Sequence, residues 1–484
     1  ITTQFTMTTL EELGLLKMDF LGLRTLTVIQ NAVKQVEHNE HIHLDMMKID
    51  YNDKDVLDMI GSGKDEGVFQ LESGGMKGFM KELKPRNLED IIAGISLYRP
   101  GPMDFIPRYL KGKNDPSSIT YDCPQMEPIL EPTYGCIVYQ EQVMQIVRDL
   151  AGYTMGRSDL VRRAMSKKKA AVMAKERQNF VYGNEEEGVK GCIANGIPEA
   201  TANHIFDEMT DFAKYAFNKS HAACYAVVSY QTAWLKYYYP KEYMAALLTS
   251  VMDNITKVSE YILTCRQMGI EIMPPDINAG YSGFSVSGGA IRYGLSAIKS
   301  IGKSVVDAII KERETNGPFV SMENFVERMS NKEVNRRTLE SFIKSGALDS
   351  LPGTRKQKTM VAPEVLDQKN RDKKNTIEGQ MSLFDLVAEE DKKDFQITFP
   401  DVGEFSKEEM LAFEKEMLGI YVSGHPLDDY EECWRKHITA RATDFIVDEE
   451  TDKAAVEDGQ RVVIGGMVSG KTVKTTKHNQ MMAF

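Results

Sequence analysis

The sequence predicts a mixed, predominantly α-helical chain of several domains, and three observations carry that expectation. Apolar residues recur at helical spacing through the middle of the chain, as in Val143, Ile146, Val147 and Leu150, and again in Ala226, Tyr230 and Ala233 with Trp234. The helical stretches are broken at Pro100-Gly101-Pro102, Pro132, Pro240 and Pro274-Pro275. Strand-like alternation, by contrast, is confined to short pieces, chiefly near the two ends. With 484 residues, 42% hydrophobic and 27% charged, the chain has the composition of a soluble globular protein and the length for about three domains.

Residues 1 to 48 read as a strand followed by a long helix. In the strand, Lys17 and Asp19 project to one side while Leu16, Met18 and Phe20 pack on the other. Glycine and threonine then turn the chain into a helix through Leu26, Ile29, Val33 and Val36. Residues 49 to 280 are mostly helical, and 281 to 352 carry a short strand-like piece that leads into compact helices. Residues 353 to 400, rich in lysine, aspartate and glutamate, read as a mobile linker. A helix-like stretch from Glu408 to Leu418 lies within 401 to 458. In 459 to 484 the valine-rich alternation of Arg461 to Val468 predicts the first strand of a further domain.

A net charge of −12 argues against a general nucleic-acid coat, so any contact with DNA must rely on local basic patches. The six cysteines (Cys123, Cys136, Cys192, Cys224, Cys265, Cys433) form no C-x-x-C pair, which suits a reducing cytoplasm and gives no zinc or disulfide signal. No apolar run reaches 18 residues, so no membrane span is expected. The chain starts with Ile1 and stops at Phe484 inside a strand-like run, and the expectation is a piece of a longer protein.

The most specific words are Lys17-Met18-Asp19-Phe20-Leu21-Gly22-Leu23-Arg24-Thr25-Leu26-Thr27, Gly67-Val68-Phe69-Gln70-Leu71-Glu72-Ser73, Tyr98-Arg99-Pro100-Gly101-Pro102-Met103 and Tyr139-Gln140-Glu141-Gln142-Val143-Met144. Leu160-Val161-Arg162-Arg163-Ala164-Met165 with Lys167-Lys168-Lys169, and Phe217-Asn218-Lys219-Ser220-His221, follow. On spacing alone, Lys17 and Asp19 fit either a surface ion pair or a site that holds a metal and a phosphate together. In this order, the words resemble the C-family replicative polymerases, in the alpha subunit of bacterial DNA polymerase III, across essentially the whole chain. The resemblance implies a last palm strand and helix in 1–48, helical fingers in 49–280, a tandem helix-hairpin-helix region in 281–352, a linker with a clamp-binding peptide in 353–400 and the start of an OB-fold barrel in 459–484.

It also implies a chemistry. Nucleotidyl transfer needs an attacking 3′-oxygen, an in-line leaving pyrophosphate and two divalent cations, for which magnesium with carboxylate ligands is the usual choice. Asp19 matches the family's third catalytic aspartate and metal ligand, with Lys17 beside it. The other two stand on an earlier palm strand that does not precede Asp19 here, so this piece alone is expected to be inactive.

Between Val161 and Arg177 stand seven basic residues, among them Arg162, Arg163, Lys167 and Lys169, and one acidic residue, Glu176. Read alone, this is either a solvated helix face or a polyphosphate site; the resemblance places it against the phosphates of the incoming deoxynucleoside triphosphate. By the same resemblance Asn218, Lys219, Ser220 and His221 line the nucleotide, with Lys219 on phosphate and His221 as the steric gate against a ribose 2′-hydroxyl. A capping or core role for His221 fits its position equally. His38, His41 and His43 read as solvated loop residues.

Ala297 to Ala308 resembles a helix-hairpin-helix, whose turn at Ser300, Ile301, Gly302, Lys303 and Ser304 presents backbone N–H groups to a DNA phosphate. Ser300 stands where the pattern's first glycine is usual. A second hairpin is suggested from Asn335 to Leu348. The alternative is two hairpins that only pack together. Gln380-Met381-Ser382-Leu383-Phe384 looks like the sliding-clamp (beta) peptide Q-x-x-L-F, and burying its Leu and Phe is worth roughly 3 to 6 kcal/mol before ordering costs. Packing of this pentapeptide on its own domain is the competing account. The partners implied are primer–template DNA, deoxynucleoside triphosphates, the clamp and other replicase subunits such as the clamp-loader tau subunit. A translesion paralogue and a non-catalytic DNA- and clamp-binding scaffold are the rival readings.

Overall fold

The computed structural model describes residues 3–16, 18, 22–166, 170–212, 217–329, 333–375, 398–447, 454–468, 470–476 and 480–483. They are predominantly helical, with three hydrophobic cores. After a surface helix α1 (Met7–Glu12), the long amphipathic α2 (Arg24–Glu40) buries Val28, Ile29, Ala32 and Val36. The strand expected before it falls largely on residues outside those described. Lys17, Asp19 and Phe20 lie outside the described residues, while Leu16 and Met18 are 90% and 72% exposed instead of packing behind a sheet.

The first core is built by α3 (Lys54–Gly61), α4 (Gly74–Leu83), α5 (Leu88–Leu97) and α6 (Ile106–Asn114). Asp53 caps α3 by accepting from the N–H groups of Asp55 and Val56, and Asn87 caps α5 by accepting from that of Asp90. A fully buried ion pair ties the unit together: Lys113 Nζ lies 2.8 Å from Asp90 Oδ2 and also donates to the carbonyls of Leu83 and Lys84 at the end of α4. Three partners use all three ammonium protons, which is the condition for burying such a charge at tolerable cost. Burial still pulls the Lys113 pKa below its ordinary value, against the pull of Asp90.

The second core belongs to α7 (Glu127–Leu130), α8 (Gln140–Ala151), α9 (Met155–Ser166), α10 (Ala170–Tyr182) and α11 (Glu199–Phe212). Val143, Ile146, Val147 and Leu150 face it as their spacing predicts, and Gly152 ends α8 at φ +75°, a left-handed cap suited to glycine. The 20-residue α12 (Lys219–Tyr238), about 30 Å long, then crosses the molecule. Ala222, Ala226, Tyr230 and Ala233 enter the first core, and Leu235 enters the third.

The third core collects α13 (Pro240–Ser250), α14 (Ile255–Gln267) and a three-stranded sheet of β1 (Ile272–Met273), β2 (Ser285–Ser287) and β3 (Ala290–Arg292), in the order β1-β3-β2. β2 and β3 are antiparallel across a Gly288-Gly289 turn with both φ positive, while β1 runs parallel to β3 with Ile272 opposite Ile291. α15 (Lys303–Asn316), α16 (Met322–Arg328), α17 (Arg336–Lys344), α18 (Arg355–Asn375) and α19 (Lys407–Leu418) complete it. Residues 240–280 therefore share their core with 281–351.

Two expectations are corrected here. The linker expected over 353–400 begins as α18, which Lys358 fastens to the preceding hairpin by donating 2.8 Å bonds to the carbonyls of Leu348 and Leu351. Beyond α20 (Glu431–His437), Arg461 to Val468 is not a strand. Its Val463 bonds to Thr439, its Ile464 and Val468 are exposed, and the paired strands fall later, in β4 (Val473–Thr475) and β5 (Met481–Ala483). Alternation alone cannot make a strand where no partner edge is offered. No helix of the described residues is long and apolar enough to cross a membrane.

Asp65 is fully buried, and neither carboxylate oxygen meets a donor among the described residues. Burial lifts its pKa from 3.8 to about 7, partly opposed by Lys236. Below about pH 4 folded and unfolded chains both hold this proton, and above it only the folded chain does, so stability falls as pH rises from about 4 to about 7. Asp65→Asn is expected to flatten that slope and to stabilise the fold at pH 8 by about 2–4 kcal/mol, read from denaturant midpoints across pH.

Candidate functional site

The N-termini of α8 and α12 meet, and the Tyr139-Gln140-Glu141-Gln142 word makes the junction. Gln140 N–H donates to the Phe217 carbonyl at 2.9 Å, and Tyr139 and Phe217 form an isolated parallel bridge. Glu141 accepts from Asn218 Nδ2 at 3.0 Å and, with both carboxylate oxygens, from the backbone N–H of Lys219. Gln142 turns inward, accepting from the N–H groups of Val138 and Tyr139 to cap its own helix. Asn218 caps α12 by accepting from the His221 N–H at 2.9 Å. A carboxylate at two helix N-termini is favoured by both dipoles. It also means that Glu141 already occupies the leading amide of α12.

Those side chains converge on the junction. Arg162 reaches Gln140 Oε1 at 2.9 Å, Arg99 lies 4.4 Å over the Phe217 ring, and Lys219 Nζ sits 5.2 Å over Tyr139 and 3.0 Å from Glu89. Ser220 and His221 are exposed on the first turn of α12. Of the predicted nucleotide residues, the structure thus brings Arg162, Asn218, Lys219, Ser220 and His221 to one place. The side chains of Lys167 and Lys169, like Asp19 and Lys17, lie outside the described residues.

The basic stretch is less bare than its composition suggests. Arg162, whose side chain is 18% exposed, and Arg163, 63% exposed, share Asp159, which sits just ahead of the stretch, and the Arg162 bond first of all lowers the Asp159 pKa. Lys175 pairs with Glu187 at 2.6 Å, and Arg177 with Asp207 on α11. Arg162, Arg163, Lys175 and Arg177 thus each meet an acid in space, while Lys167, Lys168 and Lys169 lie outside the described residues. Among the described residues no three side chains of metal-ligating type cluster. His38, His41 and His43 are exposed, as expected, but His38 lies in the last turn of α2 rather than in a loop, and His43 bonds to Glu37.

At the turn before α15, Ser300 adopts φ +71°, the left-handed conformation the usual glycine would supply. Ser300, Gly302, Lys303 and Ser304 are exposed around it. Ile301 is buried and its N–H bonds to the Ile298 carbonyl, so it anchors the turn and does not face outward. The second hairpin's α17 is capped by Asn335, and Arg337 donates to Ser300 Oγ at 3.0 Å, joining the two hairpins at their exposed ends. Gln380 to Phe384, with Met381, Ser382 and Leu383, lie outside the described residues.

Residues 25–188 match the finger domain of the bacterial DNA polymerase III alpha subunit, and residues 269–358 match a helix-hairpin-helix motif. This chain carries the finger domain of that polymerase family. It is 42% identical over 484 residues to the DNA polymerase III subunit alpha of Borreliella burgdorferi, covering 100% of this chain and 41% of that relative. Against the Thermus aquaticus subunit the identity is 42% over 487 residues, covering 99% and 38%, and against that of Bacillus subtilis it is 40% over 482 residues, covering 100% and 41%. The chain therefore spans about two-fifths of the length of these relatives. Both hairpins lie within the matched helix-hairpin-helix stretch, and the α8 end of the junction lies within the matched finger domain.

Sequence reasoning missed Glu141, Gln140 and Arg99 as parts of the finger junction. Their words were visible, but a helix-capping glutamate gains meaning only when the chain brings Asn218 beside it, 77 residues on. Glu141→Ala is expected to lower stability by about 1–2 kcal/mol and to speed amide exchange at Lys219, with Glu141→Gln falling between.

Proposed function

We propose that this chain is the part of a replicative DNA polymerase III alpha subunit that binds the incoming deoxynucleoside triphosphate and grips the primer–template behind it. The observation that carries the reading is the junction itself: Arg99, Arg162 and Lys219 gather beside His221 where two helix N-termini meet, in and beside the stretch matching the finger domain. A triphosphate seated there would draw Arg162 and Lys219 from Asp159 and Glu89, exchanging one anion for a denser one. His221, on the first exposed turn of α12, then faces the sugar. Asp19, with Lys17 beside it, would hold magnesium, which when bound neutralises charge developing on the phosphates.

The paired hairpins in 281–352 hold DNA by its phosphates through the Ser300 to Ser304 turn and Arg337, which serves any sequence. Gln380 to Phe384 ties the protein to the sliding clamp, and the clamp-loader tau subunit joins it to the other replicase subunits. The hairpin of β4 and β5 begins the OB-fold in this reading.

In the complete protein that contains this chain, Asp19→Ala is expected to abolish primer extension while leaving DNA binding intact. Lys219→Ala should raise the KM for deoxynucleotides about 10- to 100-fold, the loss of one charge-assisted bond, with DNA affinity unchanged. Retained extension by Asp19→Ala would remove it from the metal site. Leu383→Ala combined with Phe384→Ala should remove clamp stimulation and spare basal synthesis; equal loss of both would assign the peptide to packing.

A further inference from the structure

His221 is exposed, yet its ring is not loose. Its backbone is fixed by the Asn218 cap, and its ring lies between two others, one from the segment entering α12 and one a turn further along the helix. Phe217, just ahead of the α12 cap, meets it edge-on, with centroids 5.4 Å apart and planes at 76°. Tyr225 lies under it, with centroids 4.3 Å apart and planes at 33°. The row continues: Phe69 packs on Tyr225 at 5.3 Å, and Arg99 lies over the Phe217 ring at 4.4 Å. Contacts of this kind fix ring orientation as well as burying area.

Phe69 belongs to the Gly67 to Ser73 word, which has no role in the reading so far. Its backbone N–H donates to Thr232 Oγ1 at 3.2 Å, so the loop hangs from the same helix whose Tyr225 it supports. Val68 and Leu71 on either side are fully buried, and Glu72 accepts from the Gly67 N–H and the Tyr261 hydroxyl. Gln70 is held at φ +66°, a conformation that L-residues adopt only where the surroundings enforce it. The loop is a rigid block with one ring projecting toward α12.

We propose that Tyr225, buttressed by Phe69, is a positioning residue that sets the His221 ring against the sugar, so that discrimination against ribonucleotides depends on the whole row. The proposal rests on reading His221 as the residue that faces the sugar. A gate that excludes one hydroxyl must hold its place to within a fraction of an ångström. A single histidine on an exposed helical turn has two free torsions, and the stacked rings remove them.

The test uses the complete polymerase subunit and the ratio of kcat/KM for a deoxynucleoside triphosphate to that for the matching ribonucleoside triphosphate. His221→Ala should lower the ratio by about 10-fold or more, Tyr225→Leu by about 3- to 10-fold, and Tyr225→Phe should leave it near the parent value. Phe69→Leu, one ring further back, should lower it less than Tyr225→Leu, and it serves if Tyr225→Leu does not fold. A ratio unchanged in Tyr225→Leu and Phe69→Leu, or activities falling equally for both nucleotides, overturns the proposal while His221→Ala keeps the gate reading. A ratio unchanged in His221→Ala overturns both.

Discussion

The two oxygens of Glu141 hold the first turn of α12 against the first turn of α8, and most of the functional geometry depends on that contact. Among the described residues α12 is the one helix with buried side chains in both the first and third cores, and through Glu141 its leading end is also tied to the second. A side chain on its first turn is therefore fixed relative to three packed units at once. Lys219, Ser220 and His221 gain from this without being buried. Rigid support and solvent access are usually in conflict, and a helix N-terminus projecting from a packed spine satisfies both.

The cations show a second organising rule. Lys113, Lys236, Arg313, Lys358 and Lys369 are buried and donate mainly to backbone carbonyls. Lys113 serves the end of α4, Lys369 the end of α16, and Arg313 the carbonyls of Ile277 and Gly280. Each supplies the donors that a helix end or irregular turn lacks, and the favourable dipole at a helix C-terminus offsets part of the desolvation. Several of the chain's positive charges are thus structural mortar. Counting charge along the sequence overstated the basic stretch for the related reason that acids arrive from elsewhere, Glu187 from the following turn and Asp207 from α11.

This difference between linear and spatial neighbourhoods explains what the sequence made legible. The helices with a regular apolar period, α2, α8 and α12, are where the period puts them, because burial of one face is decided within a few turns. α18 reads as linker because its composition is polar, and nothing in its run of lysines marks Lys358 and Lys369 as buried. The junction was half visible: the Phe217 to His221 word pointed to it, whereas Glu141, Arg99, Tyr225 and Phe69 join only through contacts across 77 or more residues, or through ring geometry that no spacing rule encodes.

The turn before α15 shows how a departure from a motif can be informative. Glycine would take φ +71° at position 300 without strain, whereas serine there costs about 1 kcal/mol. Serine adds a hydroxyl, and that hydroxyl accepts from Arg337 at the head of the second hairpin. A hydrogen bond to a charged donor contributes about 1.5–3 kcal/mol where it is shielded and less at an exposed site, enough to offset the backbone cost. The exchange also fixes the two exposed turns in one register. A glycine would remove that bond, leaving the hairpins related through the apolar core beneath, to which Ile298, Ile301 and Leu339 belong.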